Sequence, residues 1–158
     1  HNQLSQTTRN AGKLKGQLAP LLARLLYPWA DGVVAVSHGV AKDLACTTTL
    51  PLRCIQTIYN PVITAELFTS AEESVEHPWF QSQDVPVLLG VGKLEAQKDF
   101  PNLIRAFARV RQVRPARLVI LGWGPDRPQL EALIRELELQ EDVDLPGYVQ
   151  NPYAYMAR

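Results

Sequence analysis

The sequence predicts an α/β fold built from two parallel-sheet units. From Val85 to Arg158, apolar strand-like runs and amphipathic helical stretches follow one another in the order βαβαβα. A shorter unit of the same kind lies near the start, where "GVVAVS" at residues 32–37 leads into a helical stretch. Residues 64–84 show neither period and separate the two. Such alternation is typical of a parallel sheet with helices packed on its faces and right-handed crossovers.

The composition is that of an ordinary globular chain. Of the 158 residues 46% are hydrophobic, and 16 basic side chains balance 16 acidic ones, so the chain has no bulk attraction to polyanions and we expect no nucleic-acid partner. Cys46 and Cys54 lack metal-site spacing, as do His38 and His77, so we expect no metal. Two isolated thiols fit a reducing compartment, which favours a cytoplasmic protein.

In the N-terminal part, the residue pattern predicts a helix and two strands. Leucines recur at helical spacing between Lys13 and Trp29, with a kink expected at Pro20. We expect this apolar stripe to face a core, and keep as an alternative a peripheral contact with a membrane surface, because basic residues flank it. No apolar run is long enough for a membrane span. Strands are predicted at 32–37 and 53–62, and residues 64–84 are interpreted as an interdomain linker.

The C-terminal part predicts three strands, "VPVLLGVG", "RLVILG" and "VDLPGYV". Helices are expected from Pro101 to about Val113, from about Pro128 to Leu139, and from near Asn151. Ligands of parallel sheets bind at the carboxyl ends of the strands, and three glycine-containing loops lie there, at residues 90–100, 122–128 and 147–153. The chemistry should therefore be sought in these loops.

Lys93 and Lys98 lie five residues apart on the first loop, ahead of a helix whose N-terminus favours an anion. Asp99 is expected to cap that helix. The two ammonium groups could hold a diphosphate, but spacing alone is equally satisfied by two solvated loop charges. The turn at Gly122 and Gly124 lacks the third glycine of a dinucleotide fingerprint, so a tight turn is its simplest interpretation.

Five segments together resemble the middle of a family 4 glycosyltransferase of the GT-B fold: "VSHGVAKDL", "IYNPV", "VGKLEAQKDFPNLIRAF", "LVILGWGPDRPQLEALIRELEL" and "LPGYVQNPYAYM". The resemblance implies two Rossmann-like domains, both incomplete here. Residues 1–63 would end the acceptor-side domain, and residues 85–158 would begin the nucleotide-sugar domain. Because the chain starts at His1 and stops within a helical stretch, we expect an internal fragment.

The resemblance also implies an activity: transfer of a sugar, with retention, from a UDP-, GDP- or ADP-sugar to a glycan, lipid or small-molecule acceptor, as in polysaccharide biosynthesis. It implies no metal and no other cofactor. The enzyme would be cytoplasmic, with a peripheral position at the cytoplasmic membrane face as an alternative.

The resemblance assigns roles to individual residues. Lys98 matches the family's lysine and Lys93 a position where the family most often has arginine, and both resemble the pair that grips the donor phosphates during catalysis. His1 resembles a histidine that faces the donor sugar. The remaining residues implied to bind the donor lie on the three loops: Gly90, Gly92, Gly122, Gly124, Gly147, Tyr148 and Val149. Trp123 departs from the small or acidic residue more usual at its position.

Two features keep other functions open. The family's pair of glutamates eight positions apart is not found in this sequence and is expected beyond Tyr155, so this chain alone is expected to be inactive. A GT-B-fold sugar-nucleotide epimerase or phosphorylase is one alternative. A noncatalytic nucleotide-binding or scaffold module is another.

Overall fold

A computed structural model describes residues 14–82 and 84–158 of the chain. The chain divides into two compact units, His1–Val62 and Ile63–Arg158. The predicted donor-facing residue His1 lies outside the described residues. Among those described, no helix is both long and apolar enough to cross a membrane.

The described part of the N-terminal unit, residues 14–62, contains two helices, two 3-10 turns and two short strands. In chain order these are α1 (Leu14–Leu26), a turn (Tyr27–Trp29), β1 (Val33–Ala35), α2 (His38–Thr48), a turn (Leu52–Cys54) and β2 (Ile55–Thr57). The strands pair in parallel, as predicted, but are shorter than predicted. At the end of β1, Ser37 already caps α2, because its Oγ accepts a hydrogen bond from the Val40 N–H at 3.2 Å.

The apolar stripe of α1 is not buried in the way we predicted. The side chains of Leu21, Leu22, Leu25 and Leu26 are 51–62% exposed, whereas Ala23 is buried. The small core of this unit is formed instead by residues of β1, α2 and β2: Ala35, Ala41, Leu44 and Ile55. The expectation that the stripe faces a core is therefore not confirmed for these four leucines.

The C-terminal unit contains a three-stranded parallel sheet in the order β3-β4-β5. Its elements are α3 (Ala65–Ala71), a 3-10 turn (Pro78–Phe80), β3 (Val87–Val91), a 3-10 turn (Ala96–Lys98), α4 (Phe100–Val113), β4 (Arg117–Leu121), α5 (Arg127–Glu136), β5 (Val143–Gly147) and α6 (Pro152–Met156). The predicted βαβαβα order is thus observed. Helix α5 ends before the predicted Leu139, and Glu138 just beyond it has a left-handed φ of 56°.

A register shift in β5 moves its end relative to β4. Val119 pairs with Asp144 but Leu121 pairs with Gly147, so β5 has one residue more than β4 over this stretch. Pro146 falls within it and has no N–H to donate to a ladder, a common reason for such an irregularity. The shift sets where the loop after β5 begins.

One face of the sheet is covered by α4 and α5. Every second residue of β4 and β5 points into a shared core with the apolar stripes of the two helices. The central residues of this core are Ile104, Phe107, Leu118, Ile120, Leu130 and Leu145. This core holds the strand ends in place.

The other face is reached by residues 65–80, which we interpreted as a linker without regular structure. The structure instead forms α3 and a 3-10 turn here and groups both with the C-terminal unit. The Arg117 guanidinium lies over the Trp79 ring, 5.0 Å from its centroid, and His77 Nε2 lies 2.9 Å from Asp144 Oδ2. Because these contacts involve polar and aromatic side chains, they do not produce the regular spacing of apolar residues by which helices and strands are predicted. A linking role for 64–84 stays a prediction.

Candidate functional site

A cavity of about 370 Å³ lies at the carboxyl ends of β3, β4 and β5. This volume falls in the range of small-molecule sites. All three glycine-containing loops contribute to its lining: Val91, Gly92, Lys93, Leu121, Gly122, Trp123, Tyr148, Val149 and Pro152. Most of these residues are apolar or aromatic, and Lys93 is the charged residue among the described lining. The cavity lies where the alternation of strands and helices predicted a site.

Glycine is required in the second loop because the first loop touches it. A Cβ on Gly122, which has a φ of 147°, would lie 1.8 Å from the carbonyl oxygen of Gly92. A Cβ on Gly124 would lie 2.2 Å from the carbonyl oxygen of Leu94. These glycines therefore let the two neighbouring loops approach each other. A contact of their backbone with a ligand stays a prediction.

Backbone hydrogen bonds tie the three loops together. The Gly92 N–H donates to the Leu121 carbonyl at 3.0 Å, and the Leu94 N–H donates to the Trp123 carbonyl at 3.1 Å. On the other side, the Gly122 N–H donates to the Gly147 carbonyl at 2.8 Å. Main-chain hydrogen bonds therefore connect all three loops that line the cavity.

Three predicted donor-binding glycines, Gly90, Gly124 and Gly147, do not line the cavity. Gly90 lies within β3, where an added Cβ would be 3.2 Å from carbons of both Leu103 and Phe100, so its small size serves the packing of α4. Gly147 ends β5 with a φ of 96°, a conformation that favours glycine whatever the ligand. A contact of any of these three glycines with a ligand stays a prediction.

The two lysines differ in their surroundings. Lys93 is exposed, lines the cavity and forms an ion pair with Glu95. Lys98 is also exposed, and its aliphatic carbons lie over Gly92, the nearest 3.1 Å from where a Cβ would be. Gly92 thus makes room for the stem of Lys98 beside the cavity. Among the described residues, no ion pair involves Lys98.

The capping role predicted for Asp99 is wrong. Asp99 occupies the N-cap position of α4 but has a left-handed φ of 51° and makes no side-chain capping hydrogen bond. Its backbone still continues from the turn that carries Lys98 into the helix, so the lysine immediately precedes the N-terminal end of α4 as expected.

The third loop places Tyr148 and Val149 on the cavity. Their contact with a nucleotide base stays a prediction. Asn151 shapes the end of this loop, because its Oδ1 accepts hydrogen bonds from the N–H groups of Tyr153 and Ala154 at 3.1 and 3.3 Å. Sequence reasoning did not assign Val91, Leu121, Trp123 or Pro152 to the site. Of these, Trp123 carried a signal, since a large aromatic residue between two glycines at a strand end is unusual.

No cluster of three or more potential metal ligands is present in the described part of the chain. The absence of a metal requirement stays a prediction.

Comparison with known proteins places the chain in a family. The family described as "Glycosyl transferases group 1" matches residues 72–158. This chain belongs to that glycosyltransferase family. The structure is also similar to Anabaena HepE, solved with UDP and glucose, with a TM-score of 0.74 and 17% identity over 99% of this chain and 42% of that one. This similarity confirms the predicted GT-B type of α/β fold.

Two curated relatives illustrate the family. The chain is 36% identical over 137 residues to the Campylobacter jejuni N-acetylgalactosamine-N,N'-diacetylbacillosaminyl-diphospho-undecaprenol 4-alpha-N-acetylgalactosaminyltransferase, a match covering 87% of this chain and 35% of the relative. It is 38% identical over 74 residues to the lipopolysaccharide core biosynthesis glycosyltransferase LpsD of Rhizobium meliloti, covering 47% of this chain and 21% of the relative. The chain thus spans about a third or less of these relatives' length.

Proposed function

We propose that this chain supplies the donor-binding loops of a glycosyltransferase. The enzyme would transfer a sugar from a nucleoside-diphosphate sugar to a saccharide or lipid-linked acceptor. The single observation that carries the proposal is the cavity at the carboxyl ends of β3–β5, lined by all three loops and flanked by the stem of Lys98. Family membership supports the reaction class. The names of the relatives, which include a diphospho-undecaprenol acceptor and a lipopolysaccharide core, support the acceptor class.

Lys93 and Lys98 are proposed to hold the diphosphate. Breaking the bond between the anomeric carbon and the phosphate builds negative charge on the departing diphosphate, and fixed positive groups lower the energy of that transition state. Lys98 stands immediately before the N-terminal end of α4, where backbone N–H groups add a partial positive charge. Lys93 would exchange Glu95 for the phosphate on binding. Two ammonium groups would then do the work that a metal does elsewhere.

Tyr148 and Val149 are proposed to lie beside the nucleobase. They directly follow β5, two strands away from β3 and the lysine loop that follows it, so a donor whose nucleoside crosses the cavity from Lys93 would bring its base toward them. Retention of anomeric configuration and independence of metal belong to the same proposal, as does a cytoplasmic location.

Thermal unfolding of the full-length protein with UDP, GDP and ADP tests the binding step. A nucleotide at about 100 times its Kd adds about 2.7 kcal/mol to the free energy of unfolding, which gives a clear shift in Tm. We expect at least one of the three to produce it. No shift with any of them would contradict the proposal and favour a scaffold module.

Turnover of the corresponding nucleotide sugar, measured with and without EDTA, tests the reaction. We expect equal rates in both conditions and a product of the same anomeric configuration as the donor. Loss of turnover in EDTA would contradict metal independence. Interconversion of donor sugars without transfer would favour the epimerase alternative.

A further inference from the structure

Trp123 has a closely packed backbone and an exposed side chain. Its neighbours Gly122 and Gly124 pack so closely against the first loop that neither position admits a Cβ, and its own carbonyl accepts the Leu94 N–H at 3.1 Å. By contrast, Trp123 as a whole is 67% exposed and is one of the residues that line the cavity. The indole is therefore presented to the cavity from a fixed point.

The other two tryptophans have different surroundings. Trp79 is half-buried, contacts the Arg117 guanidinium and lies edge-on to His77, with ring centroids 5.3 Å apart. Trp29, which is 89% exposed, belongs to the N-terminal unit. Among the described residues, Trp123 has no aromatic partner and is the tryptophan that lines this cavity. Covering an exposed indole with a ligand face gains about 25 cal/mol for each Å² of apolar surface removed from water.

The strand order gives Trp123 a definite place along a bound donor. β4 is the middle strand, so Trp123 lies between the Lys93 loop on β3 and the Tyr148 loop on β5. A nucleotide sugar is linear, with the base and the sugar on opposite sides of the diphosphate. If the lysines hold the diphosphate and the base lies beside Tyr148 and Val149, as proposed above, the nucleoside half of the donor extends past Trp123.

We propose that Trp123 is a donor-binding residue whose indole stacks on the nucleobase, and that this contact supplies much of the affinity for the nucleoside half. This inference rests on the proposed function of the same cavity. A planar base suits a flat indole, and stacking of a base on an aromatic side chain contributes about 1–3 kcal/mol by alanine substitution, or roughly 5- to 150-fold in affinity. Tyr148 lies on the next loop, exposed and likewise without an aromatic partner among the described residues.

The binding test compares Trp123→Ala, Trp123→Phe and the matched control Trp29→Ala in the full-length protein. For the nucleotide that binds wild type best, among UDP, GDP and ADP, we expect Trp123→Ala to weaken affinity about 5- to 150-fold, measured by calorimetry. Trp123→Phe should retain part of the affinity, and Trp29→Ala should match wild type. The unliganded Tm of Trp123→Ala should be unchanged, because the side chain is mostly exposed.

Binding of the nucleoside and of pyrophosphate, measured separately, shows which part of the donor contacts Trp123. We expect the matching nucleoside to quench tryptophan fluorescence in wild type and in Trp29→Phe but not in Trp123→Phe, and pyrophosphate affinity to be the same in Trp123→Ala and wild type. Wild-type nucleotide affinity in Trp123→Ala would overturn the inference and leave the proposed function standing. A loss confined to the donor sugar, with nucleoside diphosphate binding intact, would overturn it too. If wild type binds none of the three nucleotides, both proposals fail.

Discussion

Residues 65–80, on one face of the C-terminal sheet, and the three loops at its strand ends are held in place by different kinds of contact. Residues 65–80 are joined to the sheet by side chains, since His77 contacts Asp144, Trp79 contacts Arg117, and Asn151 bonds to the end of α3. The strand-end loops are joined by main chain, while Lys98, Trp123 and Tyr148 extend from them exposed. Substitutions should therefore separate: changes to the exposed side chains of Lys98, Trp123 and Tyr148 should affect the ligand, whereas changes to side chains that contact residues 65–80 should affect stability.

The largest expected effect is on turnover, from Lys98→Ala. Removing one preorganised positive group from a developing anion costs about 2.7–4 kcal/mol in comparable sites, which is roughly 10²- to 10³-fold in kcat. Steady-state kinetics of the full-length enzyme with its donor measure this. Because Lys98 is exposed and shows no ion pair within the described residues, the Tm should not change.

Lys42→Ala is the matched control, since Lys42 is an exposed lysine on α2 of the N-terminal unit and belongs to none of the three loops. It should leave kcat and Tm unchanged. Wild-type turnover in Lys98→Ala would show that the loop lysines are solvated charges, which was the simpler interpretation of their spacing.

Gly122→Ala should have the largest effect on stability. An added methyl group would overlap the Gly92 carbonyl oxygen in a backbone conformation that L-residues rarely adopt, so we expect a loss of about 3 kcal/mol in the free energy of unfolding. Gly147→Ala is the matched control. Gly147 also has a positive φ, of 96°, but its nearest neighbour would be 3.8 Å away, so strain acts there without overlap.

Urea unfolding of both variants compares the effect of steric overlap with the effect of backbone strain. We expect Gly122→Ala to lose clearly more stability than Gly147→Ala. Equal losses would mean that backbone conformation alone, and not the contact between the first two loops, makes glycine necessary at 122.

Asn151→Asp should cost about 1–2 kcal/mol, because it removes a donor while keeping the cap. Asn151 Nδ2 donates to the Ser70 carbonyl at 2.7 Å and to Glu73 Oε2 at 2.8 Å, whereas its Oδ1 caps α6. An aspartate keeps the capping oxygen but turns its second oxygen toward these two acceptors. Thermal unfolding measures the loss, and adding Glu73→Gln should recover part of it. No recovery would indicate that the cap, and not the bridge to α3, is affected.

The smallest expected effect is from Arg117→Met, which retains the stem and removes the guanidinium from the Trp79 ring. A cation-π contact of this kind contributes about 0.5–1 kcal/mol. A double-mutant cycle with Trp79→Leu isolates it. A coupling energy near zero would show that the ring covers the sheet without help from the charge.

The sequence predicted the parts of this fold that rest on periodic burial. The strands β3 and β4 and the helix α4 lie within a residue or two of their predicted bounds, because their apolar residues repeat with the period of each element. The three loops followed from glycines at strand ends. Residues 65–80 could not be predicted in this way, since His77 and Asp144 lie 67 positions apart and their contact leaves no local pattern.

The site shows the same division. Lys93, Gly92, Gly122, Tyr148 and Val149 meet at one cavity, as the common edge of three parallel strands requires. The cap expected of Asp99 was wrong, because it depends on the path of neighbouring main chain. The role proposed for Trp123 rests on its exposure at the cavity, which the unusual aromatic residue between two glycines did not by itself predict.

Hydrogen–deuterium exchange of the full-length protein, with and without its best-binding nucleoside diphosphate, tests whether the nucleotide binds at the carboxyl ends of β3–β5. We expect slower exchange in peptides covering residues 90–100, 120–128 and 146–154, the three loops at the cavity. A peptide covering residues 74–82 should exchange at the same rate in both states. Protection absent from the three loops, or equal in residues 74–82, would contradict the assignment of the nucleotide to this edge of the sheet.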